Sequence, residues 1–65
     1  MRWEGNVFYW DVSDREEWVR IGEVGSRIVG ATRLDNDIRI CTSDGDFVLY
    51  DADDITRCRL ERFAG

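Results

Sequence analysis

The chain has 65 residues, 43% of them hydrophobic, eight of them aromatic, and a formal net charge of −5. It contains no histidine, lysine or proline, so all nine cations are arginine. Such a composition suits one small domain over residues 1–65. It excludes the commonest catalytic and metal-binding routes: histidine general bases, histidine zinc ligands, lysine Schiff bases and lysine phosphate grips.

Met1-Arg2-Trp3-Glu4-Gly5 has neither an apolar h-region nor a cleavage-like site, so no secretory signal is expected. No apolar run approaches the roughly 18 residues of a membrane span, and a cytoplasmic protein is the reading. Trp3 lies on a polar arm and is expected to be the most exposed tryptophan, a candidate aromatic contact. Asn6–Val12 is dense in β-branched and aromatic residues on both faces, as in a central strand. Ser13-Asp14-Arg15-Glu16 has capping-box form and predicts a short helix near 14–19. Trp18–Val24 alternates acceptably as a strand, yet a longer helix over 14–22, packed on a three- to four-stranded sheet in an α+β fold, stays open.

Gly25-Ser26 fits a type II′ turn leading into a strand over Arg27–Leu34. There Ile28, Thr32 and Leu34 share one face, and Arg27, Val29, Ala31 and Arg33 the other. Asp35-Asn36-Asp37 is turn chemistry. Ile38–Thr42 and Phe47–Tyr50 flank Asp44-Gly45, a type I′ hairpin signal. Asp51-Ala52-Asp53-Asp54 interrupts the pattern, and Ile55–Phe63 closes the chain as a strand. Together these predict a mainly β domain, a small antiparallel sheet of about five strands with one short helix. A partly open SH3-like barrel is one form of it, with Asp51–Ile55 as the turn before the last strand. Cys41 and Cys58 have no partner pattern and are expected to be reduced, without a disulfide.

Charge is unevenly placed. Asp35 to Asp54 holds seven aspartates and one cation, Arg39, a net of −6; the first 34 residues come to −1 and the last 11 to +2. With Asp44-Gly45 as the turn, Thr42 faces Phe47, Ile40 faces Leu49 and Arg39 faces Tyr50, so Ile38, Ile40, Phe47 and Leu49 share the core face. Asp44 and Asp46 then sit at the hairpin tip. Asp35, Asp37, Asp51, Asp53 and Asp54 gather at the open end, roughly 15 Å away at about 3.4 Å per residue.

A solvated, turn-forming role accounts for such aspartates without any ligand. EF-hand spacing fails from either Asp44 or Asp51, so no metal and no cofactor is expected. Paired-carboxylate hydrolysis needs a cleft that so small a domain can hardly supply. Clustered carboxylates can instead imitate nucleic-acid phosphates and compete for an arginine- and lysine-lined groove. In size, acidity, compactness and lack of catalytic residues the chain resembles small phage-encoded inhibitors, including anti-CRISPR proteins that act as DNA mimics. The resemblance rests on no motif. It implies a non-enzymatic inhibitor in a host cytoplasm whose partner is a basic nucleic-acid-binding protein, such as a CRISPR effector subunit. Arg57, Arg59, Arg62 and Phe63, extended by Arg27 and Arg33, form a modest basic strip better suited to pairing with the aspartates than to direct nucleic-acid binding. The alternative function is an SH3-like adaptor with a peptide groove lined by Tyr9, Trp10 and Tyr50. A monomer is expected in either case.

Overall fold

A computed structural model describes residues 1–10, 18–54 and 56–64. Among these residues seven strands run in chain order: β1 (Arg2–Glu4), β2 (Val7–Trp10), β3 (Val19–Glu23), β4 (Ile28–Leu34), β5 (Asp37–Thr42), β6 (Gly45–Tyr50) and β7 (Arg59–Arg62). They form two antiparallel sheets in which every strand pairs with its sequence neighbour, β1-β2-β3 and β4-β5-β6-β7. The mainly β, antiparallel expectation holds, with more strands than expected. The sheets do not close into a barrel.

Several sequence expectations are corrected. The longer helix over 14–22 is overturned, because Val19–Glu23 is a strand paired with β2. The β-branched and aromatic content of Trp18–Val24 outweighs the capping signal there. The short helix near 14–19 and the end of the Asn6–Val12 strand fall largely outside the described residues. Gly25-Ser26 is no hairpin turn; Gly25 lacks the positive φ of a type II′ turn, and the pair links the two sheets. The link is fixed by Val24 N–H donating to Asn6 O and Ile28 N–H to Gly5 O, both at 2.8 Å. The tight turn is Gly5-Asn6 instead, with Gly5 at φ 59°, between Glu4 and Val7.

The β5–β6 register is the third correction. Thr42 faces Gly45, Ile40 faces Phe47 and Ile38 faces Leu49, so the turn is Ser43-Asp44. A type I′ turn needs positive φ at both central residues, and Asp44 does not have it; only Gly45 does, at 117°. Thr42 Oγ1 accepts from the Asp44 amide and donates to Gly45 O, which fixes the turn one residue earlier. The displacement is two residues, an even number, so every side chain keeps its predicted face.

In β4 parity does change. Val29 is an extra residue between the Ile28↔Thr42 and Gly30↔Cys41 pairs, a bulge that reverses the alternation beyond it. Ala31 and Arg33 therefore share the inner face with Ile40 and Ile38, while Gly30, Thr32 and Leu34 lie on the outer face. The final strand is also shorter than Ile55–Phe63, with Thr56 and Arg57 in turns.

The core lies between the sheets. Phe8 comes from the first sheet and Ile38, Ile40 and Leu49 from the second, all four fully buried, with Val24, Ile28 and Ala52 completing it. Each fully buried side chain of this kind contributes about 1.5–3 kcal/mol relative to exposure. Trp10, Phe47 and Leu60 close the margins. Two corners are capped by guanidiniums over rings, Arg33 over Trp10 at 5.3 Å and Arg62 over Phe47 at 5.0 Å. No helix among the described residues is long and apolar enough to cross a membrane.

Candidate functional site: the acidic end

The β4–β5 turn and the loop after β6 meet at one end of the larger sheet. Asn36 O accepts from the Ala52 amide at 2.8 Å, and Asp37 Oδ1 from the Asp51 amide at 3.1 Å. Asp35 and Asp51 both adopt left-handed backbone, at φ 54° and 53°, a conformation that aspartate tolerates better than most residues. Ala52 is fully buried, and its carbonyl accepts from Trp10 Nε1 at 2.7 Å, which anchors the loop to the other sheet. Asp35, Asp37, Asp51, Asp53 and Asp54 are thus brought together by local turn geometry and these two hydrogen bonds.

Arginines answer several of these charges. Arg33 pairs with Asp53 at 2.5 Å and donates from Nε to Asp35 O at 3.0 Å. Arg59 approaches Asp51 and Arg57 approaches Asp54, each at 3.7 Å. These pairs are solvent-exposed and screened by water, so each contributes little and is readily exchanged for another partner. Among the described residues, the Asp35 and Asp37 carboxylates make no ion pair.

Asp54 has a structural task. Its Oδ1 accepts from the Thr56 hydroxyl at 2.7 Å and the Thr56 amide at 3.0 Å, and its carbonyl accepts from the Arg57 and Cys58 amides. The Thr56 hydrogen bonds, with Arg57 nearby, hold its carboxyl below the ordinary aspartate value. Arg59 is pushed above its usual range, chiefly by its hydrogen bond to Glu61.

The other two aspartates are separate. Asp44 is exposed in the β5–β6 turn. Asp46 lies one residue inside β6, where a single carboxylate oxygen accepts from Arg39 Nε at 3.1 Å and Nη2 at 2.9 Å. Arg39 in turn lies over Phe63 at 4.0 Å. Among the described residues no three acidic or cysteine side chains are arranged to hold a metal ion. Cys41 is a free thiol.

The aromatic residues divide among three surfaces. Tyr9 is on the outer face of the smaller sheet, with Arg2 over its ring at 5.6 Å and over Trp18 at 5.7 Å. Trp10 faces the core, and Tyr50 lies on the outer face of the larger sheet under Arg59 at 4.5 Å. Tyr9, Trp10 and Tyr50 therefore line no common groove. Trp3 is 36% exposed and Trp18 41%, so Trp18, not Trp3, is the most exposed tryptophan. No family model, curated protein or solved structure matches this chain.

Proposed function

We propose that the chain is a non-catalytic inhibitor that presents its acidic end to a basic nucleic-acid-binding site on another protein, in the manner of a DNA mimic and of anti-CRISPR inhibitors. The pair of hydrogen bonds joining Asn36-Asp37 to Asp51-Ala52 supports this reading most directly. They place carboxylates that are remote in sequence on one fixed surface, so ordering them on binding costs little further conformational entropy. Arg33, Arg57 and Arg59 dilute the field but hold it through exposed, exchangeable pairs. A partner's arginines and lysines would replace them.

The test is an isosteric variant, Asp35→Asn, Asp37→Asn, Asp51→Asn and Asp53→Asn together. Asparagine accepts left-handed backbone and retains a side-chain carbonyl, so the turns survive while the charge is lost. Asp54 is kept for its capping role. Immobilised wild-type chain should retain from a bacterial lysate a nucleic-acid-binding protein that duplex DNA elutes, with retention falling steeply between about 50 and 200 mM salt. The folded fourfold variant should retain none. Equal retention by the variant, or no elution by DNA, refutes the proposal.

A further inference from the structure

Among the outermost strands β4 is the longest and the least protected. β1 has three residues, β7 is short and carries Arg59, Glu61 and Arg62, and Leu60 of β7 lies close beside Gly22 of β3. Edge strands with unpaired backbone groups recruit further strands unless charge, proline or a bulge prevents it. In β4 the Val29 bulge, together with Gly5 O accepting from Ile28 N, closes only one end. Among the described residues nothing pairs with Gly30 to Leu34 on its outer side, and its outer-face residues, Gly30, Thr32 and Leu34, are uncharged.

The backbone pattern of that segment follows from its hairpin. A two-residue connection closes on a hydrogen-bonded pair, here Leu34 and Asp37. Alternation then turns the N–H and C=O groups of Leu34, Thr32 and Gly30 towards β5 and those of Arg33 and Ala31 outward. On the outer face Leu34 is 51% exposed, an apolar knob at one end of the open edge. At the other end Gly30 leaves a notch: a Cβ built there would meet nothing within 4 Å.

We infer that this edge pairs with the same edge of a second copy, antiparallel, with Thr32 on the two-fold axis. In that register Ala31 and Arg33 of each chain exchange backbone hydrogen bonds with Arg33 and Ala31 of the other, which satisfies every outward group of the segment. Thr32 faces its own copy as a non-hydrogen-bonded pair. Each Leu34 lies opposite the other chain's Gly30, so knob meets notch twice, as an isologous interface requires. The neighbouring registers do worse. Those displaced by one residue set inner-face side chains against outer-face ones, and pairing about Ala31 or Arg33 leaves Leu34 opposite Ile28 or Thr32 instead of the notch. The chosen register also carries the turn bearing the unpaired Asp35 towards the segment bearing Arg27, which is exposed and makes no ion pair among the described residues. The result is a continuous eight-stranded sheet across two copies.

The experiment is sedimentation equilibrium of the full chain over a concentration series, joined to a crosslink that reads the register. Wild type should reach twice the 7.6 kDa chain mass. Gly30→Val fills the notch and Leu34→Lys charges the knob; each should weaken dimerisation more than about tenfold while circular dichroism stays native. Thr32→Cys should form a disulfide to its own copy, because Cα atoms of such a pair are about 4.5 Å apart, within the bonding range of about 4.4–6.8 Å. Peptide mapping would locate that bridge and separate it from any through Cys41 or Cys58. A wild-type chain that stays monomeric to about millimolar concentration overturns the inference. So does a dimer indifferent to both Gly30→Val and Leu34→Lys, or one that Thr32→Cys fails to bridge.

Discussion

Trp10→Phe is the most informative single perturbation, because one hydrogen bond ties the smaller sheet to the acidic loop. Trp10 Nε1 donates to Ala52 O at 2.7 Å, and Ala52 is completely buried. Phenylalanine retains an aromatic face beneath Arg33, so most of that stacking survives, but the Ala52 carbonyl loses its donor. An unsatisfied buried acceptor costs about 1–3 kcal/mol, and the smaller ring leaves a void worth up to about 1 kcal/mol more. A net loss of about 2 kcal/mol is expected. In a domain of this size that lowers the melting temperature by about 8–16 °C. Urea and thermal melts followed by circular dichroism measure it, with Trp18→Phe as the control, since a substitution at that exposed ring should cost less than about 0.5 kcal/mol. A loss under about 0.5 kcal/mol for Trp10→Phe would refute the reasoning, showing that water reaches the carbonyl and that the loop is not anchored there.

Two further outcomes follow from the same geometry. Ile40→Ala opens a cavity in a strand covered on both sides and should cost about 2–5 kcal/mol, against a total of about 3–10 kcal/mol for a chain this long; the melt should lose cooperativity or the chain should be partly unfolded at 37 °C. For Asp54, the depressed folded value means that its contribution is complete above the ordinary aspartate value of about 3.9 and is lost as pH falls below it through the folded value. Denaturation of wild type and Asp54→Asn compared from pH 7 to pH 2 should therefore give a difference that changes only below about pH 4; one that changes between pH 5 and 7 would assign the effect elsewhere.

Much of this architecture was legible from residue types alone, and the failures have physical causes. Ile38, Ile40, Phe47 and Leu49 share the core face under either turn, because a two-residue displacement preserves alternation. Asp44-Gly45 has the right residues for type I′, but the Thr42 hydroxyl favours a turn one residue earlier. The Val29 bulge was invisible, since Ile28-Val29 reads as uninterrupted strand and only the partner's register reveals an unpaired residue. Gly5-Asn6 carried a turn signal that the polar character of the arm obscured. At the acidic end, chain connectivity alone predicted that residues 35–37 and 51–54 would meet. What it could not supply was the task of each carboxylate: left-handed backbone at Asp35 and Asp51, an amide acceptor at Asp37, a cap at Asp54.

The neighbour-only strand order also has a consequence for how the chain reaches this state. Every ladder joins strands that are neighbours in sequence, so the entropy of chain closure for each sheet is small. The demanding step is bringing the sheets face to face, and the Trp10 to Ala52 contact spans 42 positions of sequence. Folding speed should accordingly depend on residues at that seam, such as Phe8 and Trp10, more than on any turn, while each sheet alone has too little apolar cover to persist. The molecule is assembled from local pieces, but its cooperativity resides in the single surface where they join.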